Sequence, residues 1–220
     1  MRDCSRDEQE AFIRAHTILA HAPLVPEIAL YLASELTPIW QASEDWLAVR
    51  NISPPYWAFV WPGGQALARH ILDHRDWLAG RRVLDFAAGS GIAAIASAQA
   101  GSLAEAAETD TLAIAAIRLN AQRNGAAVVG VPVDLVGAPC RWDVILCGDV
   151  CYDAQMAAHI LPWLQAMARV AEVWIADPGR SYLPRDGLTA VAVYNVPTTL
   201  ELEDRTERLV TLYRLSASRS

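Results

Sequence analysis

Hydrophobic and polar residues follow one another along this chain in blocks that predict alternating strands and helices. Short apolar runs predict strands that end near residue 84 and at residues 104–108, 128–136, 142–147 and 172–176. Small and helix-forming residues predict helices at residues 64–74, 92–100, 112–123 and 154–170, the last broken near Pro162. Strands that alternate with helices in this way form a parallel sheet covered on both faces, so the predicted fold class is α/β.

The two ends of the chain depart from this alternation. Residues 188–194 and 209–215 have the pattern of strands, but the polar stretch between them is too short for a long crossover helix. We therefore expect them to pair as an antiparallel edge of the sheet. Residues 1–50 are predicted to form a helical extension in front of a domain of residues 51–220, with which they make one compact unit.

Composition and charge narrow the class of protein. The chain has 220 residues, of which 53% are hydrophobic, and this is enough for one large core without a metal or a disulfide. Its net charge of −7 argues against a nucleic-acid partner and suits a basic protein partner better. The first ten residues lack the apolar core of a signal sequence, and no apolar stretch is long enough to span a membrane, so we expect a cytoplasmic protein.

Cysteine and histidine spacing gives no metal motif. The four cysteines, at positions 4, 140, 147 and 151, lack C-x-x-C spacing and are predicted to be reduced. His70 and His74 lie on one helix face but lack the glutamate of a zinc-protease helix. We predict that the protein holds no metal.

The residues from 82 to 94 carry the most informative pattern. Asp85 falls between the apolar end of a strand and a turn that contains Gly89 and Gly91. Strand, turn and helix together form a nucleotide pocket. In a dinucleotide fold the strand runs straight into the glycines, and the acid comes only after the second strand. The position of Asp85 therefore favours S-adenosylmethionine as the cofactor, although Ala87 stands where the pattern usually has its first glycine.

A second acid follows at the spacing expected for a ribose-binding residue. Thr109 and Asp110 come after the second strand, roughly 20 residues past the glycine turn. Asp110 also opens a predicted helix, so both residues fit an N-terminal cap as well as a cofactor contact. The two roles are compatible, because a cap at the carboxyl end of a strand faces the same crevice.

The fourth and fifth strands deliver further candidates for chemistry. Asp149 and Tyr152 directly follow the fourth strand, where side chains line the ligand crevice of an open parallel sheet. They are predicted to face the transferred methyl group, and the alternative is that Asp149 caps the next helix. Asp177 and Arg180 follow the fifth strand in a run that has the composition of a turn.

One motif of base methyltransferases is present in the wrong place. Ser53-Pro54-Pro55-Tyr56 matches the run that grips a flipped base, but it precedes the glycine turn by a segment too short for a target-recognition region. Together with the acidic charge, this spacing argues against methylation of a nucleic-acid base. Arginine methylation is disfavoured as well, because the paired-glutamate hairpin that grips a guanidinium is missing.

The segment before the glycine turn resembles the signature of one family. The run PPYWAFVWPGGQAL at residues 54–67 is similar to the sequence found there in the electron transfer flavoprotein beta-subunit lysine methyltransferases, which are class I enzymes with a D-x-x-Y motif. Residues 149–152 match that motif, and residues 177–180 resemble the run after the fifth strand. The resemblance covers about residues 26–182, and Ala87 and residues 205–220 depart from it.

The resemblance implies a fold, a function and a set of site residues. The fold would be a Rossmann-like, seven-stranded class I methyltransferase sheet, mostly parallel, with an antiparallel C-terminal edge. The function would be S-adenosylmethionine-dependent methylation of lysine, with the electron transfer flavoprotein beta subunit as the partner. The implied catalytic residues are Asp149 and Tyr152. The cofactor-binding set is Trp61, Asp85, Ala87, Gly89, Gly91, Thr109, Asp110 and Asp149, and the substrate channel holds Trp57, Asp177 and Arg180.

Several alternatives remain open at this point. A ribosomal-protein or small-molecule methyltransferase with the same sheet fits the motifs, as does a cofactor-binding module without catalysis. Trp57 and Trp61 fit buried packing as well as a role over the cofactor or the lysine channel. An acidic rim that attracts a lysine-rich surface is expected from six residues: Glu44, Asp45, Asp149, Asp153, Asp177 and Asp186.

Overall fold

The computed structural model describes residues 5–34, 55–198 and 203–217. The first segment contains helix α1 (Arg6–His16), followed by strands β1 (Ile18–Ala22) and β2 (Val25–Leu32). Ser5 caps the helix, because its side-chain oxygen accepts a hydrogen bond from the Glu8 backbone while the Glu8 carboxylate accepts one from Ser5 in return. The two strands pair antiparallel as a separate hairpin.

The hairpin departs from the helical extension predicted for residues 1–50. Its outer edge is held by side chains far along the sequence: the backbone N–H groups of Ala29 and Tyr31 donate to Asn124 (2.9 Å) and Asn120 (2.8 Å). These long-range hydrogen bonds satisfy every second backbone N–H group along this part of β2. The hydrophobic pattern of the segment itself does not reveal them. Residues 1–4 and 35–50, which complete the predicted extension, lie outside the described residues.

Seven further strands form one mixed sheet. They are β3 (Arg82–Phe86), β4 (Leu103–Ala107), β5 (Val128–Val131), β6 (Val144–Gly148), β7 (Glu172–Asp177), β8 (Leu188–Pro197) and β9 (Glu207–Leu215). Their order is β5-β4-β3-β6-β7-β9-β8. The first five are mutually parallel, and β9 pairs antiparallel with both β7 and β8. The predicted seven-stranded sheet and its antiparallel C-terminal edge are confirmed.

Four helices cover the sheet: α2 (Pro62–Asp73), α3 (Ile92–Gln99), α4 (Thr111–Arg123) and α5 (Ala154–Met167). The two faces have separate cores. In β6, for example, Val144 and Leu146 pack in the cluster that contains α2 and α3, whereas Ile145 and Cys147 pack with α5. Within the described residues, no helix is long and apolar enough to cross a membrane.

Three predictions about helix and strand limits that involve proline are wrong. Helix α5 continues through Pro162 and ends at Met167, so the predicted break near the proline does not occur. Strand β5 ends at Val131, well before the predicted residue 136, because Pro132 has no N–H to donate to a ladder. Pro62 has the opposite effect, since it occupies the first turn of α2, where a missing N–H is tolerated, and starts the helix two residues early.

Glycines allow the N terminus of α2 to lie directly against the ends of β6 and β7. A Cβ atom at Gly63 would lie 2.5 Å from Asp149 Oδ2 and 2.6 Å from the Ala176 carbonyl oxygen. A Cβ atom at Gly148 would lie 2.8 Å from the Gly64 nitrogen. The helix backbone therefore packs directly on the strand backbone here. This contact explains why the Trp-Pro-Gly-Gly run has glycine where the helix begins.

We expect Gly63→Ala to destabilise the protein by about 1 to 3 kcal/mol, because the new methyl group meets a buried carboxylate and a carbonyl that cannot move freely. Gly64→Ala is the matched control, since its Cβ would lie 3.3 Å from a single Ile92 methyl group, a contact that a small shift relieves. Alanine favours a helix over glycine, so this control should be neutral or slightly stabilising. Urea unfolding of both variants measures the difference, and equal free energies of unfolding would contradict the close packing at Gly63.

Candidate functional site

A cavity of about 790 Å³ opens at the carboxyl ends of the parallel strands. The chain leaves β3 toward β4 and β5 on one side, and β6 and β7 lie on the other side. The connections after β3 and β6 therefore diverge, and a crevice forms between them where the strand order reverses. This position makes the cavity the leading candidate for the functional site.

Strand register brings the carboxyl ends of three strands to one level. Phe86, the last residue of β3, pairs with Ala107 of β4 and with Cys147 of β6. The residues that follow each of these three line the cavity: Ala87, Glu108 and Gly148. Parallel pairing therefore assembles one wall of the cavity from segments that are distant in sequence.

The glycine turn has a left-handed backbone at three positions. Ala87, Gly89 and Gly91 have φ values of 54°, 54° and 78°. Alanine in this region is strained by about 1 kcal/mol, so the substitution at the first position is tolerated but unfavourable. Ala87 and Gly89 line the cavity, and a Cβ atom at Gly89 would meet nothing within 4 Å. Gly91 instead lies behind the turn, with its hydrogen facing the Ile117 side chain.

Asp85 does not reach the cavity, although it was predicted to bind the cofactor. Its side chain is buried, and its Oδ2 atom accepts a hydrogen bond from the Ala94 backbone N–H at 2.9 Å. Burial raises the pKa of Asp85 to about 8. The residue therefore ties the first turn of α3 to the end of β3 and shapes the glycine turn from behind.

Glu108 is the acid that the sequence reasoning missed. It directly follows β4 and lines the cavity, and its carboxylate accepts hydrogen bonds from Gly89 N–H (2.7 Å) and Thr109 N–H (3.2 Å). Burial raises its pKa. The prediction included Glu108 in the strand and placed the functional acid at Asp110. Ending the predicted strand one residue earlier would have identified Glu108 as the first residue beyond it.

Thr109 and Asp110 also line the cavity, as predicted. Asp110 is the N-cap of α4, where its Oδ1 atom accepts the Leu112 N–H at 2.8 Å. The two roles left open for Asp110 thus share one location, and one of its oxygens is committed to the helix cap.

Asp149 occupies the most constrained position in the site. It has a φ of 55° directly after β6, where its backbone N–H donates to the Ala176 carbonyl. Its Oδ2 atom accepts the Gly63 N–H at 2.5 Å, and its Oδ1 atom lies 3.2 Å from Arg180 Nη2. Burial raises the pKa of Asp149 to about 7, against the opposing effect of Arg180. The cap of α5 is formed by Asp153 instead, so the helix-cap alternative for Asp149 is wrong.

Aromatic rings surround the same end of the cavity. The Tyr56 ring lies 6.0 Å from the Trp61 ring and 6.0 Å from the Tyr152 ring, and all three residues line the cavity. Trp61 is oriented by a 2.9 Å bond from its Nε1 to the Tyr56 carbonyl. Tyr152 is 45% exposed, so it stands where the cavity meets solvent.

Trp57 lies in a position that is compatible with both roles left open for it. It touches the cavity, yet it is almost fully buried in a cluster with Ile13 of α1 and Leu119 of α4. Its backbone lies in a short 3-10 helix (Tyr56–Ala58) that leads into α2. The ring is therefore a fixed part of the cavity wall.

Asp177 and Arg180 differ in their position relative to the cavity. Arg180 lines the cavity, whereas Asp177 is buried behind it and accepts the backbone N–H groups of Gly179 (2.7 Å) and Arg180 (2.6 Å). Burial raises the pKa of Asp177. Asp177 thus shapes the turn from which Arg180 extends toward Asp149.

The predicted acidic rim is only partly present on the surface. Asp149 and Asp177 are buried, because both turn inward at the ends of their strands. Asp153 and Asp186 are exposed, and Glu44 and Asp45 lie outside the described residues. Another polar pair was not predicted: Asp134 and His159 line the cavity with a 2.7 Å contact between Oδ2 and Nε2.

Comparison with known proteins agrees with this geometry. Residues 66–151 match the family model for ribosomal protein L11 methyltransferase (PrmA). The electron transfer flavoprotein beta subunit lysine methyltransferase of Danio rerio is 34% identical over 210 residues, which cover 91% of this chain and 80% of that protein. The enzyme of the same name from Xenopus laevis is 39% identical over 177 residues, covering 78% of this chain and 70% of that protein.

A solved structure supports the fold. A candidate RNA methyltransferase from Pyrococcus horikoshii superimposes with a TM-score of 0.52 at 16% identity, covering 70% of this chain and 81% of that one. Together with this fold, the curated relatives make the chain an S-adenosylmethionine-dependent methyltransferase of class I. The extent of its identity to the curated relatives is more specific. The chain belongs to the electron transfer flavoprotein beta subunit lysine methyltransferase family.

Proposed function

We propose that this enzyme methylates lysine in the electron transfer flavoprotein beta subunit, with Asp149 as the residue that receives the amine. The observation that carries the proposal is the Asp149 carboxylate, which is buried, fixed on both sides and present in the same cavity as the glycine turn. The name of the curated relatives supports the choice of substrate. Trp57, Arg180 and the exposed tyrosines line the path that the lysine would follow.

The residues around the glycine turn fit the cofactor. The open space beside Gly89 admits a bound group, and the cavity volume lies within the range typical of small-molecule sites. Each oxygen of Glu108 accepts one backbone hydrogen bond, and a carboxylate oxygen can accept a second. We assign Glu108 to the ribose hydroxyls, Ala87, Gly89 and Thr109 to the surrounding wall, and Asp110 to the helix cap beside it. Trp61 would cover the reactive end near Asp149.

S-adenosylmethionine supplies, when bound, a sulfonium methyl group that passes to the lone pair of the lysine nitrogen while a neutral thioether leaves. The protein must therefore strip a proton from an amine whose ordinary pKa is about 10.4. A carboxylate of ordinary pKa would be a poor base, but burial brings the pKa of Asp149 to about 7. In this proposal its Oδ1 atom accepts the ammonium proton, and Tyr152 and Tyr56 provide aromatic faces for the cation.

The cofactor assignment predicts opposite outcomes for two neighbouring acids. Glu108→Gln should weaken S-adenosylmethionine binding by about 1 to 3 kcal/mol, because an amide accepts hydroxyl hydrogen bonds less strongly than a carboxylate. Asp110→Asn should change affinity less than about threefold, because asparagine is an equally good N-cap. Isothermal titration calorimetry of both variants decides between them. A larger loss of affinity in Asp110→Asn than in Glu108→Gln would instead assign the ribose contact to Asp110.

The proposed proton acceptor predicts a pH dependence. Because the pKa of Asp149 lies above its ordinary value, the carboxyl group is protonated below about pH 7, and kcat/KM should rise as the pH passes through that value. Asp149→Asn should remove this inflection and lower kcat at pH 8 by about 100-fold or more, with cofactor binding retained. Asp153→Asn, a change of the same kind at an exposed helix cap, is the control and should leave the profile intact.

The substrate is tested directly by transfer of a labelled methyl group. Purified enzyme should label lysine in recombinant electron transfer flavoprotein beta subunit from the same organism, and the Asp149→Asn variant should not. Ribosomal protein L11 is the second candidate, because the L11 methyltransferase model matches residues 66–151. Label on L11 alone would refute the flavoprotein substrate while leaving protein methylation in place.

A further inference from the structure

Two carboxylates share one nitrogen of Arg180. Its Nη2 atom lies 2.5 Å from Glu203 Oε1 but 3.2 Å from Asp149 Oδ1. The arginine is therefore drawn more closely to Glu203 than to the carboxylate in the cavity. Burial disfavours the charged form of Arg180, but Asp149 and Glu203 outweigh this effect and raise its pKa, so the guanidinium remains charged between them.

Glu203 is itself firmly held. Its side chain is only 3% exposed, and its Oε2 atom accepts hydrogen bonds from Arg208 Nε (2.9 Å) and contacts Arg208 Nη2 (2.8 Å). Arg208 belongs to β9, so the carboxylate is anchored to the sheet edge. A buried carboxylate with one oxygen on each of two arginines has little freedom to move.

We infer that Glu203 is a positioning residue that limits Arg180 to one long hydrogen bond with Asp149 Oδ1, so that the second lone pair of this oxygen remains available to the substrate amine. The inference rests on the proposed role of Asp149 as the residue that receives the lysine. Without Glu203, Arg180 would have Asp149 as its remaining carboxylate partner in this cluster and would move toward Oδ1. The amine would then compete with a guanidinium for the same lone pairs.

The charges around Asp149 fix the direction of the electrostatic effect. The groups that face it are Arg180, Asp177 behind the turn and the Cys151 thiol of its own loop. Neutralising Glu203 leaves these three groups in place. It also removes the competing negative charge, so the positive charge of Arg180 acts more strongly on Asp149. The charged form of Asp149 is then favoured, so its pKa falls. A residue with only a structural role would change stability without this shift.

The test compares Glu203→Gln with Asp204→Asn in the full-length protein. Both remove one negative charge next to Arg208, but the Asp204 side chain is 75% exposed and does not contact Arg180. We expect Glu203→Gln to lower kcat/KM at pH 8 at least tenfold and to move the acid limb of the pH profile to lower pH. Asp204→Asn should do neither. Equal profiles for Glu203→Gln and wild type, with kcat/KM within twofold, would overturn the inference.

A measurement without turnover separates this inference from the proposed function. The Asp149 carboxyl carbon can be titrated by ¹³C NMR in aspartate-labelled protein, with Asp149→Asn to assign the signal. Glu203→Gln should lower that pKa whether or not a substrate is known, and an unchanged pKa would count against the role of Glu203. An inactive wild-type enzyme with the pKa shift present would instead defeat the proposed function alone.

Arg208→Lys provides a second variant if Glu203→Gln fails to fold. Lysine keeps the positive charge but has a single nitrogen in place of the two that hold Glu203 Oε2. A loosened Glu203 should lower kcat/KM severalfold while the affinity for S-adenosylmethionine stays the same. Full activity of this variant in a folded protein would contradict the anchoring of Glu203 by β9.

Discussion

The hydrogen bond from the Gly63 N–H to the Asp149 carboxylate determines the geometry of the whole site. It joins the start of α2, which precedes the glycine turn in sequence, to the end of β6, which follows it. The bond requires two unfavourable conditions: a left-handed backbone at a residue other than glycine and burial of a carboxylate. Strain of this kind persists only where surrounding structure enforces it, and here the close packing of the α2 glycines does so.

From this bond a row of charges alternates in sign through the interior. Asp149, Arg180, Glu203 and Arg208 follow one another, each within contact distance of the next. Buried ion pairs contribute little net stability compared with apolar packing, because desolvation offsets their attraction. Their value lies in geometry, since each charged group must remain beside its partner. The arrangement therefore fixes distances at the reacting end of the cavity.

The sequence was sufficient to predict the sheet, because hydrophobic blocks and glycine turns are local signals. It was also sufficient to place Asp149, Tyr152 and Arg180 at the cavity, because side chains just past the ends of parallel strands always meet there. The β1–β2 hairpin was missed because asparagines at the C-terminal end of α4 hold its edge from a distance of about ninety residues along the chain. Asp85 and Asp177 turn away from the cavity, which the sequence did not indicate, since the direction in which an acid turns depends on backbone donors that tertiary structure supplies.

Glu203 illustrates the limit of motif-based reasoning most clearly. It lies in a part of the chain where the family resemblance had ended, and a single glutamate beside a polar connection has no distinguishing pattern. Only the return of β9 alongside β7 brings it to Arg180. Pairing between distant strands is a property of the folded sheet, and no window of sequence contains it.

The site also draws on both ends of the described chain. Ile13 of α1 packs with Trp57 behind the cavity wall, and β9 carries the arginine that anchors Glu203. A chain emerging from the ribosome would have its glycine turn and Asp149 in place while Arg180 still lacked its second carboxylate. The incomplete protein could enclose a nucleotide before it could present a correctly prepared carboxylate to an amine. Catalytic competence would therefore require β9 to have joined the sheet.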